Sequence, residues 1–326
     1  MKRDLFGFER VYSVGDRYAH TIRELLATDR RLDPIAIDAH LAGIPTPDRT
    51  CFAAVAAVPP SYGRIAPRVQ AGDLAALLRQ AVARILRDAP RPIAVALSGG
   101  LDSALVLALV RELSPDVVAL VLDPQLPGYS EVDQAVATAR HLGVSARVLE
   151  VTGEDFRTAL PAAIAAFENP LYNLHPVSKY LLARDAQRAG FSTVISGDGI
   201  DQVFTRDASA DYLPLTSAAF DAHRIRLRTP FLDDDVVAHV LALPPDPHKR
   251  ALRGVAATQN VPDPLVRGPK VSRLAPPLDL EPIVSRAKLA SLAALIGRPL
   301  PALTEDRDNV RWTTLALLVD AFEAWR

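Results

Sequence analysis

The chain of 326 residues balances 37 Lys and Arg against 38 Asp and Glu, and 49% of it is hydrophobic. That near-neutral charge gives no bulk attraction to nucleic acid or to an anionic membrane, and no apolar run reaches bilayer-spanning length. A single cysteine, Cys51, excludes an internal disulfide framework and a multi-cysteine zinc site. With no apolar stretch of the secretory type near Met1, the cytoplasm is the expected compartment.

In chain order, the first seventy residues read as a module of their own. DRYAHTIRELLATDR (16–30) has helical spacing, DPIAIDAHLAGI (33–44) predicts a short capped helix, and CFAAVAAVPPSYGR (51–64) reads as a strand ending in a turn. From about Ala71 the pattern changes. Helix 72–89 precedes the apolar run PIAVAL (92–97), a Ser-Gly-Gly turn, and helix 102–113 closed by Pro115. DVVALVLD (116–123) is continuously apolar, as expected of a strand buried on both faces. A helix follows from Ser130, a plausible N-cap, to Gly143, then strand 145–151, helices 154–167 and 176–190, and the strand and turn STVISGDG. Alternating strands and helices predict an α/β fold, a parallel sheet with helices on both faces. Beyond Pro230 the pattern is mostly helical, ending in VRWTTLALLVDAFEAWR (310–326). The 27 prolines are scattered between elements, and no internal repeat is evident.

The stretch IAVALSGGLDSALVLALV (93–110) carries the chemistry. A strand that stops at Ser98-Gly99-Gly100 and enters a helix leaves backbone N–H groups unpaired at the helix start, and these favour an anion. Gly99 and Gly100 let the main chain approach that anion, and Ser98 and Ser103 add hydroxyl donors. Asp102 would repel a phosphate there unless a cation lay between them. Magnesium, which prefers oxygen ligands and substrate phosphates, is the expected ion. The plain alternative makes Asp102 and Ser103 helix-capping residues.

This S-G-G-x-D-S stretch resembles the PP-loop of the N-type ATP pyrophosphatase superfamily, whose fold is the adenine nucleotide alpha hydrolase-like sheet. VISGDGIDQVF (194–204), LRTPFLDDDVVAHVLALPPD (227–246) and KRALRGVAATQNVPDPLVRGPKVSRL (249–274) resemble, in order, the corresponding segments of class B asparagine synthetases and β-lactam synthetases. The resemblance implies ATP and Mg2+ as cofactors. It assigns Asp102 and Asp201 to the metal from neighbouring strand ends, and Leu97 and Val121 to an adenosine pocket. The nucleotide would also meet Ser98, Gly99, Gly100, Ser103, Ser196 and Gly197. Lys270, in the Arg-Pro-Lys-like loop, would stabilise charge on the adenylate and on the acyl-transfer intermediate. Asp198 stands where relatives carry a catalytic Glu or Tyr and would orient the amine or take its proton. As plain structure, Asp201 is a helix cap, Asp198 a turn acid and Lys270 a solvated lysine. Glu131 reads equally as a first-turn acid or a site residue, and His175 as a turn histidine.

Residues 1–70 resemble the passage that follows the glutaminase domain in such enzymes, and 71–326 the ATP-dependent synthetase domain. Met1 is followed by Lys2, and the N-terminal cysteine nucleophile of glutamine-using relatives is missing. Nitrogen is therefore expected from free ammonia, a substrate amine or a separate glutaminase chain. The stretch between Asp201 and Pro230 is shorter than in relatives, and Gln202 replaces an acid. Arg224, Arg226 and Arg228 would face an extra substrate carboxylate or line a solvated edge strand. The leading expectation is a stand-alone AMP-forming C–N ligase joining a small carboxylate to ammonia or an amine, without nucleic-acid or membrane partners. The alternatives are a nucleotide-binding subunit of a split synthetase, and, opposed by the absence of a basic surplus, a tRNA- or nucleobase-modifying enzyme. A homodimer is the expected self-association.

Overall fold

Strand β4 (Ile93–Ala96) sends successive side chains to opposite faces: Ile93 and Val95 enter one hydrophobic core, Ala94 and Ala96 another. Both cores are buried, so the sheet is covered on both sides, as its unbroken apolar strands require. The computed structural model describes residues 8–26, 28–59, 65–69, 72–126, 128–206, 212–268 and 278–325.

The N-terminal part comprises β1 (Tyr12–Val14), β2 (Arg17–Ala19), α1 (Ile22–Leu25), α2 (Pro34–Ala42) and β3 (Ala56–Ala57). The strands form a small antiparallel sheet in the order β2-β1-β3. The helix expected over 16–30 is thus mostly absent. Arg17–Ala19 pairs with β1, and only Ile22–Leu25 is helical, because strand pairing overrides a helical spacing this short. The strand expected from Cys51 shrinks to two residues. Helix α2 follows its sequence signals: Asp33 accepts the N–H groups of Ile35 and Ala36, Pro34 opens the helix and Gly43 closes it.

The remainder begins with α3 (Leu74–Asp88), β4 and α4 (Leu101–Leu113), followed by β5 (Val117–Asp123), α5 (Val132–His141) and β6 (Ser145–Glu150). Helices α6 (Gly153–Phe167) and α7 (His175–Arg188) lead to β7 (Thr193–Ile195) and a π-helical turn (Asp201–Thr205). Then come α8 (Leu213–Asp221), β8 (Arg226–Arg228), α9 (Asp234–Leu241), α10 (Arg250–Thr258), α11 (Asp263–Arg267), α12 (Arg286–Ile296) and α13 (Asp306–Ala321). The five strands are parallel in the order β6-β5-β4-β7-β8. The chain winds outward from β4 to β6, then crosses to the other side of β4 to add β7 and β8. This reversal makes the carboxyl ends of β4 and β7 the switch point of the sheet, where open α/β sheets bind ligands. No helix among the described residues is long and apolar enough to cross a membrane.

The N-terminal part shares a core with the larger one. Ile22, Ile37, Cys51 and Phe52 pack with Phe167 of α6 and with Val310, Leu318 and Phe322 at the C-terminal helix. Glu168, just past α6, turns a buried carboxylate toward the N–H groups of Ile22 and Arg23 and so caps α1 from 146 residues away. Burial pushes its carboxyl above the usual range, against the opposing pull of those N–H groups and of Arg10 and Arg23. Cys51 is also buried, and the loss of water around it pushes its thiol up to about 12. A thiol reagent is therefore expected to leave the native protein unlabelled at neutral pH and to label one thiol per chain in urea. Rapid native labelling would contradict this packing.

Candidate active site at the switch point

Helix α4 is apolar nearly all round and buried from Ser103 to Val110, so its first turn is fixed rigidly at the end of β4. The Ser98–Ser103 loop is closed by its own hydroxyls. Ser103 Oγ accepts from the Ser98 N–H at 3.1 Å and lies 3.0 Å from Ser98 Oγ, which accepts from the Gly100 N–H at 3.2 Å. The Gly99 N–H donates to Glu131 Oε2 at 3.2 Å, so an internal carboxylate already sits against the loop amide. Gly99 has no room for a side chain, since a Cβ there would stand 2.9 Å from the Glu131 Cβ. Glu131 stands at the start of α5, and from there its carboxylate also reaches the loop amide. Ser130 is not the N-cap of α5: Glu131 occupies that position, while the Ser130 hydroxyl bonds to Asp123 and accepts from the Val132 N–H.

The turn after β7 lies directly on the start of α4. A Cβ on Gly197 would approach the Asp102 carbonyl carbon and the Ser103 nitrogen to 3.0 Å, so any side chain there would press on the main chain at the start of α4. Ser196 is buried, and its N–H donates to the Arg228 carbonyl of β8. Leu97, just past β4, and Val121, in the carboxyl-end half of β5, are buried, and the Leu97 N–H donates to the Leu120 carbonyl.

The side chains of Asp102 and Asp201 converge. Lys249 Nζ lies 2.7 Å from Asp102 Oδ2 and 2.6 Å from Asp201 Oδ1, with the lysine side chain only 10% exposed. Lys249 stands at the start of α10 with left-handed backbone, φ 53°, uncommon for a bulky residue. Asp201 opens the π-helical turn, a local form frequent at functional sites. Two carboxylates clamped on one cation beside helix-start amides have the donor chemistry of a magnesium–polyphosphate site, in which the protein supplies one or two acids and the phosphates complete the shell. Among the described residues there is no group of three or more His, Cys, Asp or Glu that could hold a metal ion.

On the far side of the β7 turn, Asp198 accepts both oxygens' worth of bonding from Lys179 Nζ, at 2.9 Å each. Burial pushes the Asp198 carboxyl up, but the Lys179 ammonium and a Ser196 hydrogen bond outweigh it and hold it below the usual range. Thr229 Oγ1 donates to the Asp198 carbonyl. His175 begins α7, its N–H donating to Asn173 Oδ1, and its ring meets Tyr212 edge-on with centroids 6.3 Å apart. Solvent reaches His175, yet the protein surrounding it and the nearby Lys179 push its imidazole down to about 4, so it is neutral at pH 7. Arg226 and Arg228 flank buried Leu227 on the outer strand β8 and are exposed, the edge-strand arrangement. Asp233 of the Pro-Phe-Leu-Asp stretch is bound by Arg84 of α3 and caps α9, a structural task. Lys270 lies outside the described residues.

Lys249 and Lys179 are the two charged groups that sequence reasoning did not single out. Lys249 opens the quoted KRALR stretch, which was the available signal. Lys179 carries none, being one exposed-looking lysine in an amphipathic helix.

Residues 73–220 match the asparagine synthase family. The asparagine synthase match takes in the Ser-Gly-Gly loop, Lys179 and Asp201, and stops short of Lys249. Over 132 residues the chain is 31% identical to a putative glutamine-hydrolyzing asparagine synthetase of Mycobacterium bovis, covering 40% of this chain and 20% of that protein. Over 127 residues it is 39% identical to a tRNA(Ile)-lysidine synthase of Caulobacter vibrioides, covering 37% of this chain and 29% of that protein. The chain thus spans under a third of the length of either relative. Among solved structures, an NH3-dependent NAD synthetase from Campylobacter jejuni aligns over 68% of this chain and 82% of its own, at 17% identity and a TM-score of 0.37.

Proposed function

We propose that this protein is an ATP-dependent C–N ligase that activates a substrate carboxylate as its acyl-adenylate, releases pyrophosphate, and passes the acyl group to ammonia or an amine. The observation that carries this reading is the convergence of Asp102 and Asp201, from adjacent strand ends, on a single cation next to the Ser98–Ser103 loop. The asparagine synthase match and the synthetase relatives support the class of reaction.

The loop amides and the Ser98 and Ser103 hydroxyls would hold the β- and γ-phosphates and orient the α-phosphate toward the incoming carboxylate. Leu97 and Val121 would line the adenosine side. Asp102 and Asp201 would hold Mg2+, which when bound neutralises charge developing on the leaving pyrophosphate. Lys270 would cover charge at the acyl carbon. Asp198 we assign to orienting the nucleophile rather than to taking its proton, because a carboxyl held low by Lys179 is a weak base.

The test is release of AMP and pyrophosphate from Mg-ATP with a panel of amino and dicarboxylic acids, with and without ammonia. Acid-dependent AMP and pyrophosphate support the reading, and ADP with phosphate would reject it. Ammonia-independent turnover would identify an amine on the substrate itself as the nitrogen source.

Lys179→Met gives a narrower check on the acceptor end. Loss of a charge-assisted pair amounts to about 1.5–3 kcal/mol, so the acceptor KM is expected to rise about tenfold or more with the ATP KM unchanged. The pH sign also follows. Because Asp198 is held below its ordinary 3.8, the pair's contribution to stability is complete above that value and is lost as pH falls through the depressed one. The difference in urea stability between the native protein and Lys179→Met should therefore be full at pH 7 and shrink in strong acid.

A further inference from the structure

Within the chain itself, the two aspartates and the Gly99 amide of the site already have partners. The cation between Asp102 and Asp201 is the Lys249 ammonium, and the anion on the Gly99 amide is the Glu131 carboxylate. We propose that Lys249 is a tethered counter-ion that holds the two aspartates together and excludes a divalent ion from them until a polyphosphate arrives to take the ammonium away. The inference rests on reading the Ser98–Ser103 loop as a pyrophosphate site.

Three observations carry it. First, both contacts are within charge-assisted hydrogen-bond range, and the lysine is 10% exposed and Asp102 26% exposed, so that pair is largely shielded from solvent, while Asp201 at 42% keeps one face open to water. A divalent ion entering alone would have to expel the ammonium and leave it poorly solvated beside the metal, two like charges in one pocket. Second, the backbone places Lys249 deliberately. Its left-handed conformation is held by its own N–H on the Asp246 carbonyl at 3.0 Å and by the Arg253 N–H on its carbonyl at 2.8 Å. Asp246 in turn donates its N–H to the Phe204 carbonyl at 2.9 Å, within the π-helical turn that begins with Asp201. The lysine and one of its carboxylate partners are therefore mounted on the same local framework.

Third, the nucleotide's arrival completes a pair of exchanges. Phosphate oxygens can replace the Glu131 carboxylate at the Gly99 amide and offer Lys249 a new anionic partner. Only then are Asp102 and Asp201 free to take a divalent ion at no loss of charge pairing. Phosphate alone would draw Lys249 away from the two carboxylates with no cation to replace it, and the divalent ion alone would meet Lys249. Metal and nucleotide binding are thus linked, and each must strengthen the other by the same factor.

The experiment uses Mn2+ as a paramagnetic probe, followed by electron paramagnetic resonance on the intact chain with and without α,β-methylene-ATP. The native protein is expected to bind Mn2+ at least about tenfold more tightly when the analogue is present. Lys249→Met, and independently Lys249→Gln, is expected to bind Mn2+ without nucleotide at least about tenfold more tightly than the native protein, and adding Asp102→Asn should remove that gain. Equal nucleotide-free affinity in native and Lys249 variants, with the analogue still raising it in the native protein, would overturn the tethered counter-ion and leave the synthetase site standing. Absence of Mn2+ binding to every form, with and without the analogue, would overturn both. Lys249→Gln, which keeps a polar side chain in the pocket, decides the matter should Lys249→Met fold poorly, with thermal melting as the check on both.

Discussion

Asp102→Asn is expected to lower acid-dependent pyrophosphate release by about 10³-fold or more while leaving the fold unchanged. The substitution keeps the size of the side chain and removes only its charge, and Asp102 lies in the first turn of a helix whose position is set by buried Ser103–Val110. What is lost is one of two carboxylates that meet at a single cation. Asp201→Asn should give the same phenotype, and the double substitution should be little worse than either alone, because groups that act as a unit are not additive. Rates of AMP and pyrophosphate formation, with thermal melting as the check on folding, decide the matter. Near-normal turnover of Asp102→Asn would remove the basis for a metal between these strands.

Gly197→Val should disable the site from the other direction, without touching a charged group. A Cβ at this position already approaches the Asp102 carbonyl carbon and Ser103 nitrogen to 3.0 Å, and both are main-chain atoms of a rigid helix start. The two methyl groups of valine cannot be housed by rotating a neighbour, so the β7 turn must lift away from α4. That overpacking costs about 1–3 kcal/mol of stability. Displacing Asp201 relative to Asp102 by about 1 Å costs about 10²-fold in turnover. Gly197→Ala, with only the Cβ to house, should lose less of both. Denaturation midpoints and single-turnover rates together separate the two effects, and a fully active Gly197→Val would show that the close approach is dispensable.

The parts of this architecture that were legible in the amino-acid sequence are those where local chemistry and tertiary role coincide. Ile93–Ala96 runs unbroken into glycines because the strand is buried on both faces and the turn must come close to a ligand. Asp33, Pro34 and Gly43 mark the ends of α2 because each answers a backbone requirement at its own position. The failures have a common physical cause, which is that a distant partner decides. Arg17–Ala19 is a strand because β1 is there to pair with it. Ser130 stands one residue ahead of the N-cap, its hydroxyl tied to Asp123 while still accepting the Val132 N–H, and the Glu131 carboxylate reaches the loop because Gly99 presents it an amide. Lys249 meets Asp102 across 147 residues, and Lys179 meets Asp198 across a helix and a strand. A lysine's sequence neighbours say nothing about which acid it will find.

The sharing of one core between the chain's two ends also decides where this protein can be divided. Ile22, Ile37 and Phe52 fill the space against Phe167, Val310 and Phe322, with the Phe52 and Phe322 rings 4.6 Å apart. Cutting ahead of α3 would strip that side bare and leave the Glu168 carboxylate inside the protein without the two amides it serves. Aggregation would precede any loss of chemistry, and silence from such a fragment would carry no information about the nucleotide cleft. Variants of the cleft belong in the intact chain.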